Sequence, residues 1–232
     1  MNRHRTQLGI LLLSILMSAA LSVGLLALTG PASAMAKPAK VSVVHGIPGV
    51  SVNVCVDGSS VADNFNYGNT ITGAELPAGS HDVKLVAAGD PCSNTAILSD
   101  TYNLSAGANY TIVANLDGSG SPNLKAFVNK VSKVAEGNAR LTIRHTANAP
   151  AVNVYANGGL LIGGTNYVWG ESKTFTVPAG SYKAKVTLPS STSAVIGPAK
   201  LMLKQGHAYQ VYAVGNGGTY SLAVIDLKVG MR

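Results

Sequence analysis

Charged residues are scarce in this chain: Asp, Glu, Lys and Arg make up 12 % of its 232 residues. Disordered proteins combine high charge with low hydrophobicity, whereas here 47 % of the residues are hydrophobic, so the chain is expected to fold. No Lys/Arg-rich run occurs, which argues against nucleic acid as a partner. Turn-forming residues are plentiful instead, with 26 Gly and 10 Pro. This mixture is typical of an all-β protein with many turns.

Signatures of catalysis and metal binding are also missing from the sequence. It contains no CxxC, HExxH or G-x-S-x-G motif, and its acidic residues fall mostly where turns are expected. From residue 140 onward the only acids are Glu171 and Asp226, too few for a separate paired-carboxylate mechanism. The histidines form no close cluster that could supply three or four metal ligands. We therefore expect a non-enzymatic protein without catalytic residues, metal or cofactor.

The N-terminus has the pattern of an export signal. The basic start "MNRHRTQ" precedes an uncharged apolar run, residues 8–28, and the small-residue stretch "GPASAMA" follows. This pattern predicts a secretory signal peptide, residues 1–34, cleaved after Ala34 or, as second choice, after Ala36. The alternative is a retained membrane anchor, since a run of about 20 apolar residues can span a bilayer. We expect a secreted protein, associated with the cell wall, that contacts the membrane only if this segment is retained.

The chain has two cysteines, Cys55 and Cys92. In an exported protein an even pair of cysteines predicts a disulfide. The bridge would span a separation of 37 residues, which in the chain-entropy model contributes about 3–4 kcal/mol. A structural disulfide is therefore expected.

The chain repeats itself. "VNVCVDG" (52–58) returns as "VNVYANG" (152–158), and "LPAGSHDVKL" (76–85) returns as "VPAGSYKAKV" (177–186). Two further blocks match in the same order and at a nearly constant offset. Four matching blocks predict tandem domains of about 90 residues each, a usual domain size. The predicted organisation is a lead-in (35–40), a first repeat (41–132), a linker (133–139) and a second repeat (140–232).

Within each repeat the pattern predicts β-strands. The stretch "VSVNVCV" alternates, which places Val52 and Val54 on one face and Asn53 and Cys55 on the other. Asp-Gly and Asn-Gly pairs follow such stretches and favour two-residue hairpin loops. No window after Ala36 has a helical apolar face.

One repeated spacing of Leu, Gly and Tyr favours a particular strand topology. "LSAGANY" and "LKQGHAY" both read L-x-x-G-x-x-Y and lead into alternating strands. In Greek-key sandwiches a tyrosine at a strand start bonds back to the preceding turn and forms a tyrosine corner. Tyr110 and Tyr209 are the predicted corner residues. The expected fold class is all-β: two tandem Ig-like, Greek-key β-sandwich domains after the signal peptide.

These repeated blocks resemble the domain of unknown function (DUF) 4397 family. Its repeats pair an H-x-x-P-x-x-x-V-D-V-Y-V-D-G opening with a V-P-A-G turn and an A-G-x-x-Y-T-V strand, similar to "VVHGIPGVSVNVCVDG", "LPAGSHDVKL" and "LSAGANYTIVA" here. The resemblance covers nearly all of residues 41–229. Asn53 and Asn153 stand where the family usually has Asp, and Cys55 where it has Tyr, so metal binding by that Asp is not expected. The resemblance implies export or wall association and assigns no activity.

Charge is divided unevenly between the repeats. Residues 41–132 contain three basic and seven acidic residues, whereas residues 140–232 contain nine basic and two acidic ones. Repeats of opposite charge could associate head-to-tail between molecules, and the basic repeat could bind an anionic wall polymer. The alternative is that these charges are merely solvated, because exposed pairs contribute little individually.

Three functional hypotheses follow. The leading one is a secreted or cell-surface-associated, non-enzymatic protein in adhesion, cell-wall association or binding, with a wall polymer or a surface protein as partner. The second is a carbohydrate-binding module in which Tyr155, Tyr167 and Trp169 form a sugar-stacking platform, with ordinary packing as the competing explanation of these rings. The third is an enzyme with a site between the repeats.

Overall fold

The computed structural model describes residues 36–165 and 167–232. Every regular element within these residues is a β-strand, so the predicted all-β class is confirmed. The predicted signal peptide, residues 1–34, lies outside the described residues. From Ala36 to Arg232 the chain forms one compact unit.

The first repeat contributes eight strands, which are β1 (Ala39–His45), β2 (Val52–Val56), β3 (Ser59–Phe65), β4 (Thr70–Leu76), β5 (Gly79–Ala87), β6 (Leu98–Leu104), β7 (Asn109–Leu116) and β8 (Pro122–Val128). They form two four-stranded sheets, in the orders β4-β1-β7-β8 and β3-β2-β5-β6. β1 and β7 pair in parallel, and the other neighbours are antiparallel.

The second repeat has the same topology. Its strands are β9 (Asn138–His145), β10 (Asn153–Ala156), β11 (Gly159–Ile162), β12 (Ser172–Pro178), β13 (Gly180–Thr187), β14 (Ala194–Leu203), β15 (His207–Asn216) and β16 (Thr219–Lys228). They form sheets in the orders β12-β9-β15-β16 and β11-β10-β13-β14, and β9 pairs with β15 in parallel. The two repeats therefore match strand for strand.

The predicted hairpin loops are present at equivalent places. Asp57 and Gly58 join β2 to β3, and Asn157 and Gly158 join β10 to β11. All four residues have positive φ: 50° and 80° in the first loop, 50° and 84° in the second. Asn and Asp tolerate this left-handed conformation and Gly adopts it freely, which explains why these residue pairs occupy the turns.

Each repeat has its own core between its two sheets. In the first repeat Val41 and Ile112 of one sheet pack against Val54 and Leu85 of the other. Burying an aliphatic side chain of this size is worth about 1.5–3 kcal/mol relative to leaving it exposed. The second repeat has a matching core.

A third apolar cluster joins the two repeats face to face. Val44 and Val113, from β1 and β7, belong to the same cluster as Tyr212 and Val214 of β15 and Ile225 of β16. The sheet β4-β1-β7-β8 therefore packs on the sheet β12-β9-β15-β16, and we call these two the inner sheets. The sheets β3-β2-β5-β6 and β11-β10-β13-β14 are the outer sheets, at opposite ends of a four-layer stack.

Candidate binding surface on the second repeat

Both predicted corner tyrosines bond back to the preceding turn. The backbone N–H of Ser105 donates a 3.1 Å hydrogen bond to the Tyr110 hydroxyl, and the N–H of Lys204 donates a 2.9 Å bond to the Tyr209 hydroxyl. The contact is equivalent in the two repeats and positions the start of β7 and of β15. These tyrosines therefore hold the inner sheets in place.

The histidines are distributed rather than clustered. His45 and His145 occupy equivalent buried positions at the ends of β1 and β9, and burial lowers the pKa of both. His81 and His207 each pair with an aspartate of their own repeat. No group of three or more His, Cys, Asp or Glu side chains in residues 36–165 and 167–232 could hold a metal ion.

Tyr167, one of the three residues predicted to form a sugar platform, is not available for stacking. It is 3 % exposed and lies in the core of the second repeat. Its hydroxyl donates a 2.7 Å hydrogen bond to the carbonyl of Ile143, and burial raises the pKa of Tyr167 above the usual tyrosine range. A ring enclosed in this way cannot cover the face of a sugar.

Trp169 is engaged by the first repeat. Its indole N–H donates a 3.0 Å hydrogen bond to the carbonyl of Leu116, and the Lys125 ammonium lies 4.3 Å from a ring centroid. Both partners belong to the first repeat, so Trp169 helps to join the repeats. The predicted platform of Tyr155, Tyr167 and Trp169 is therefore not formed, because packing occupies two of its three rings.

The predicted disulfide between Cys55 and Cys92 is confirmed, and it covers the outer face of the first repeat. It attaches the loop 88–97 to β2, with Cα atoms 5.8 Å apart. The Lys84 ammonium on β5 donates a 2.7 Å hydrogen bond to the carbonyl of Cys92. Cys55, on the face predicted to lie opposite the core, is fully buried because of this loop.

The second repeat lacks such a cover. Tyr155 pairs with Lys185 across β10 and β13 as Cys55 pairs with Lys84 across β2 and β5, so the four positions are equivalent. The loop that follows β13, residues 188–193, is shorter and has no cysteine. The Lys185 ammonium lies 4.8 Å from the centroid of the Tyr155 ring instead.

The uncovered outer sheet presents cations and apolar side chains together. Pairing across the strands and alternation along them place six side chains on the solvent face, and we call these the outer basic face: Tyr155, Leu160, Lys183, Lys185, Lys200 and Met202. Leu160 is 59 % exposed and Met202 is 57 % exposed. The sequence "YKAKV" indicates two lysines on one face of a strand, since Lys183 and Lys185 alternate with inward-facing residues.

The lysines of the outer basic face have no acidic partner on their sheet. Lys183 lies directly opposite Lys200 across β13 and β14. Like charges in this position destabilise a sheet. No Asp or Glu occurs on β10, β11, β13 or β14, and the salt bridges found in the described ranges lie elsewhere. The face is therefore cationic as a whole.

Sequence reasoning missed a polar cluster buried between the repeats. The Arg144 guanidinium donates hydrogen bonds to Gln210 Oε1 at 2.6 Å and to the Tyr212 hydroxyl at 3.0 Å. It also lies 4.8 Å from the ring centroid of Phe127, which belongs to the first repeat. On β9 this arginine alternates with core residues, so the sequence alone indicates a solvated position.

No helix in residues 36–165 or 167–232 has the length and the apolar character needed to cross a membrane.

The sequence model described as "Domain of unknown function (DUF4397)" matches residues 39–155 and 146–229. No curated protein matches the chain significantly. Among solved structures, the Bacillus anthracis TIE protein is 12 % identical with a TM-score of 0.25, and the match covers 80 % of this chain and 34 % of that one. The chain thus spans about a third of the length of the TIE protein chain. CBMbc (family CBM26) from Eubacterium rectale Amy13K, solved in complex with maltoheptaose, is 10 % identical with a TM-score of 0.27, over 82 % of this chain and 96 % of that one.

Proposed function

The chain belongs to the DUF4397 family, whose description assigns no activity, and from that premise we propose that it is an exported, non-enzymatic binding protein that attaches to an anionic polymer of the cell wall. The attachment surface is the outer basic face of the second repeat. One observation carries the proposal: Lys183, Lys185 and Lys200 share an open face without an acid, where the first repeat has a disulfide-bound cover.

The chemistry of this face suits a polymer with repeated negative charges. Several cations on one face raise the local concentration of anions and favour an extended partner over a single small ion. Tyr155, Leu160 and Met202 add apolar area beside the charges, which can contact the uncharged parts of the polymer. Binding of this kind weakens as salt is added, because exposed charges are screened.

Two features support export. The N-terminal sequence has a basic start, an apolar run and an A-x-A pattern. The Cys55–Cys92 disulfide suits an oxidising compartment outside the cytosol. We therefore propose that the protein acts outside the cell, secreted or associated with the wall.

The experiment compares charge reversal on the outer basic face with charge reversal elsewhere in the same repeat. Lys183→Glu with Lys200→Glu should lower retention on purified cell walls at low salt at least tenfold. The matched control is Lys173→Glu with Lys204→Glu, which changes the net charge equally at exposed positions off this face and should keep retention within about twofold. Equal retention by both double variants would mean that the outer basic face does not bind the wall.

Head-to-tail self-association is the second candidate, and the layer order favours it. The outer sheets lie at opposite ends of the stack, with exposed acids such as Asp63 and Asp82 on the first repeat and the basic face on the second. Ends of opposite charge can attract each other between molecules. Analytical ultracentrifugation in low and high salt tests this. A molar mass equal to that of the monomer in both conditions would rule out head-to-tail association.

The two remaining hypotheses have less support, and the carbohydrate-binding one loses two of its three residues to packing. A carbohydrate-binding module would have to work without Tyr167 and Trp169, which are engaged by Ile143 and by Leu116. An enzyme site between the repeats has no candidate catalytic residue in the described chain, and the centre of the contact is filled by the apolar cluster. Neither is preferred to polymer binding.

A further inference from the structure

A basic groove runs where the linker between the repeats passes over the edge of the second inner sheet. Its volume is about 680 Å³. We call it the linker groove and define it by its lining residues: Lys130, Ser132, Lys133, Arg140, Thr174, Phe175, Thr176 and Arg232. Four of these are cationic, three carry hydroxyl groups, and no Asp or Glu of the described chain is among them.

Arg140 forms a fixed positive charge in the wall of this groove. It is 6 % exposed, and its guanidinium donates hydrogen bonds to the carbonyls of Lys130 at 3.1 Å and Ser132 at 2.6 Å. It donates further bonds to the Ser132 hydroxyl at 3.2 Å and the Lys133 carbonyl at 3.5 Å. These partners are neutral, so they hold the guanidinium in place without cancelling its charge.

A second cation lies close to Arg140. Burial first, and then the nearby charge of Arg232, lower the pKa of Arg140, although an arginine side chain stays protonated. The backbone N–H of Arg232 donates a 2.9 Å hydrogen bond to the carbonyl of Val134, which holds the C-terminal segment beside the linker.

The first repeat provides an internal comparison. Lys40 pairs with Glu75 across β1 and β4 as Arg140 pairs with Thr176 across β9 and β12, so these positions are equivalent. In the first repeat the cation has a counter-charge, because the Lys40 ammonium lies 3.4 Å from the Glu75 carboxylate. In the second repeat a hydroxyl stands where that carboxylate would be.

We propose that the linker groove binds the phosphate group of a larger molecule, which supplies the counter-charge that Thr176 does not. Arg140 is the fixed cation. Lys130, Lys133 and Arg232 are exposed cations that can bind the oxyanion from the solvent side, and Thr176 can donate a hydroxyl hydrogen bond. Charge-assisted hydrogen bonds to phosphate are among the stronger polar contacts available to a protein. The open groove leaves room for whatever carries the phosphate.

This site is separate from the outer basic face. The groove belongs to the edge of the inner sheet, at β9 and β12, whereas the outer basic face lies on β10, β11, β13 and β14. The two proposals can therefore fail independently, and different variants test them.

The test is titration calorimetry at low salt with inorganic phosphate, glycerol phosphate and acetate as probes. Wild-type protein should bind both phosphate compounds, with glycerol phosphate at least as tight as the free ion, and should bind acetate at least tenfold more weakly. Thr176→Glu restores the pairing of the first repeat and should weaken phosphate binding at least tenfold. Because residue 176 is exposed, the melting temperature should not fall, which separates lost binding from lost folding.

Two control variants make the result specific. Ser99→Glu adds the same charge at an exposed position on β6 of the first repeat and should leave phosphate affinity within twofold of wild type. The pair Lys183→Glu and Lys200→Glu should also leave it within a few-fold. Absence of binding to the wild type, equal binding of acetate, or an equal loss in Thr176→Glu and Ser99→Glu would each overturn the site.

Discussion

His81 joins two parts of the first repeat through its two ring nitrogens. Nδ1 lies 2.7 Å from the Asp57 carboxylate and Nε2 lies 2.9 Å from the Pro77 carbonyl. The hydrogen bond with Asp57 raises the pKa of His81, and the same bond lowers the pKa of Asp57. The second repeat has neutral residues here: the Tyr182 hydroxyl donates to the Pro178 carbonyl at 2.8 Å, and Asn157 replaces the aspartate.

Asp57→Asn should therefore destabilise the protein in a pH-dependent way. Asn keeps the acceptor for the Asp82 N–H and tolerates the positive φ, as Asn157 does, so only the ion pair is lost. The aspartate contributes above its ordinary pKa of 3.8, and the histidine contributes below its ordinary pKa of 6.5 and stops contributing as pH rises through its raised value. The loss should be largest near pH 5.5 and smaller near pH 9, and it should be about 0.2–1 kcal/mol because the Asp57 carboxylate is exposed to solvent. Urea unfolding of both proteins at the two pH values measures it, and an equal loss at both would exclude the ion pair as the cause.

Tyr209→Phe tests the corner of the second repeat. The change removes the hydroxyl that accepts the Lys204 N–H and should lower the free energy of unfolding by about 1 kcal/mol. Tyr110→Phe removes the equivalent 3.1 Å contact and should have a similar effect. Tyr155→Phe is the control, because Tyr155 lies within β10 and does not belong to a tyrosine corner. Denaturant unfolding compares the three, and equal stabilities would mean that the corners do not contribute.

At the scale of elements, local sequence patterns predict those features that depend only on residues close together in the chain. The alternation in "VSVNVCV", the Asp57-Gly58 pair and the L-x-x-G-x-x-Y spacing each depend on neighbouring residues, and the strands, hairpin and corners they predict are present. Coverage of a strand face depends on distant residues instead. Cys55 is buried by the loop 88–97, and nothing within its own strand indicates that.

The disulfide that anchors this loop has no counterpart in the second repeat. Replacing Cys55 and Cys92 together with Ala should lower the free energy of unfolding by about 3–4 kcal/mol, because the unfolded chain regains the freedom of a 37-residue loop. Equilibrium unfolding with and without a reducing agent measures the effect. Reductant should lower the wild-type midpoint to that of the double variant and leave the variant unchanged. A wild type insensitive to complete reduction would show that the bridge adds no stability.

At the scale of the molecule, the contact between the inner sheets buries residues that the sequence pattern assigns to the surface. Arg144 and Gln210 alternate with core residues on β9 and β15, a pattern that normally marks a solvated face. They are buried because the other repeat covers them, and Trp169 is removed from the predicted platform for the same reason. Since that contact joins residues about half the chain apart, the alternation of side chains within a single strand could not reveal it. The cationic outer face, by contrast, is visible in "YKAKV" once the strand is assigned.

The same contact predicts that the two repeats unfold together. Trp169 is the only tryptophan and bonds across the junction to Leu116, so its fluorescence reports the contact between the repeats, whereas far-ultraviolet circular dichroism reports all strands. If the repeats form one cooperative unit, the two signals should change at the same denaturant concentration. A fluorescence change at a lower concentration would mean that the repeats separate first and behave as independent domains.

A pair of matched core variants shows which contact maintains this cooperativity. Ile225 and Ile112 are both fully buried isoleucines, but Ile225 lies in the cluster between the repeats and Ile112 in the core of the first repeat. Each Ile→Ala change should cost about 2–5 kcal/mol through lost burial and the cavity left behind. Ile112→Ala should shift both signals together, because the whole unit is weakened. Ile225→Ala should move the Trp169 transition ahead of the dichroism transition, because it weakens the contact between the repeats while each core stays intact. If Ile225→Ala shifts both signals equally, the tryptophan and backbone contacts at the junction, rather than the apolar cluster, couple the repeats.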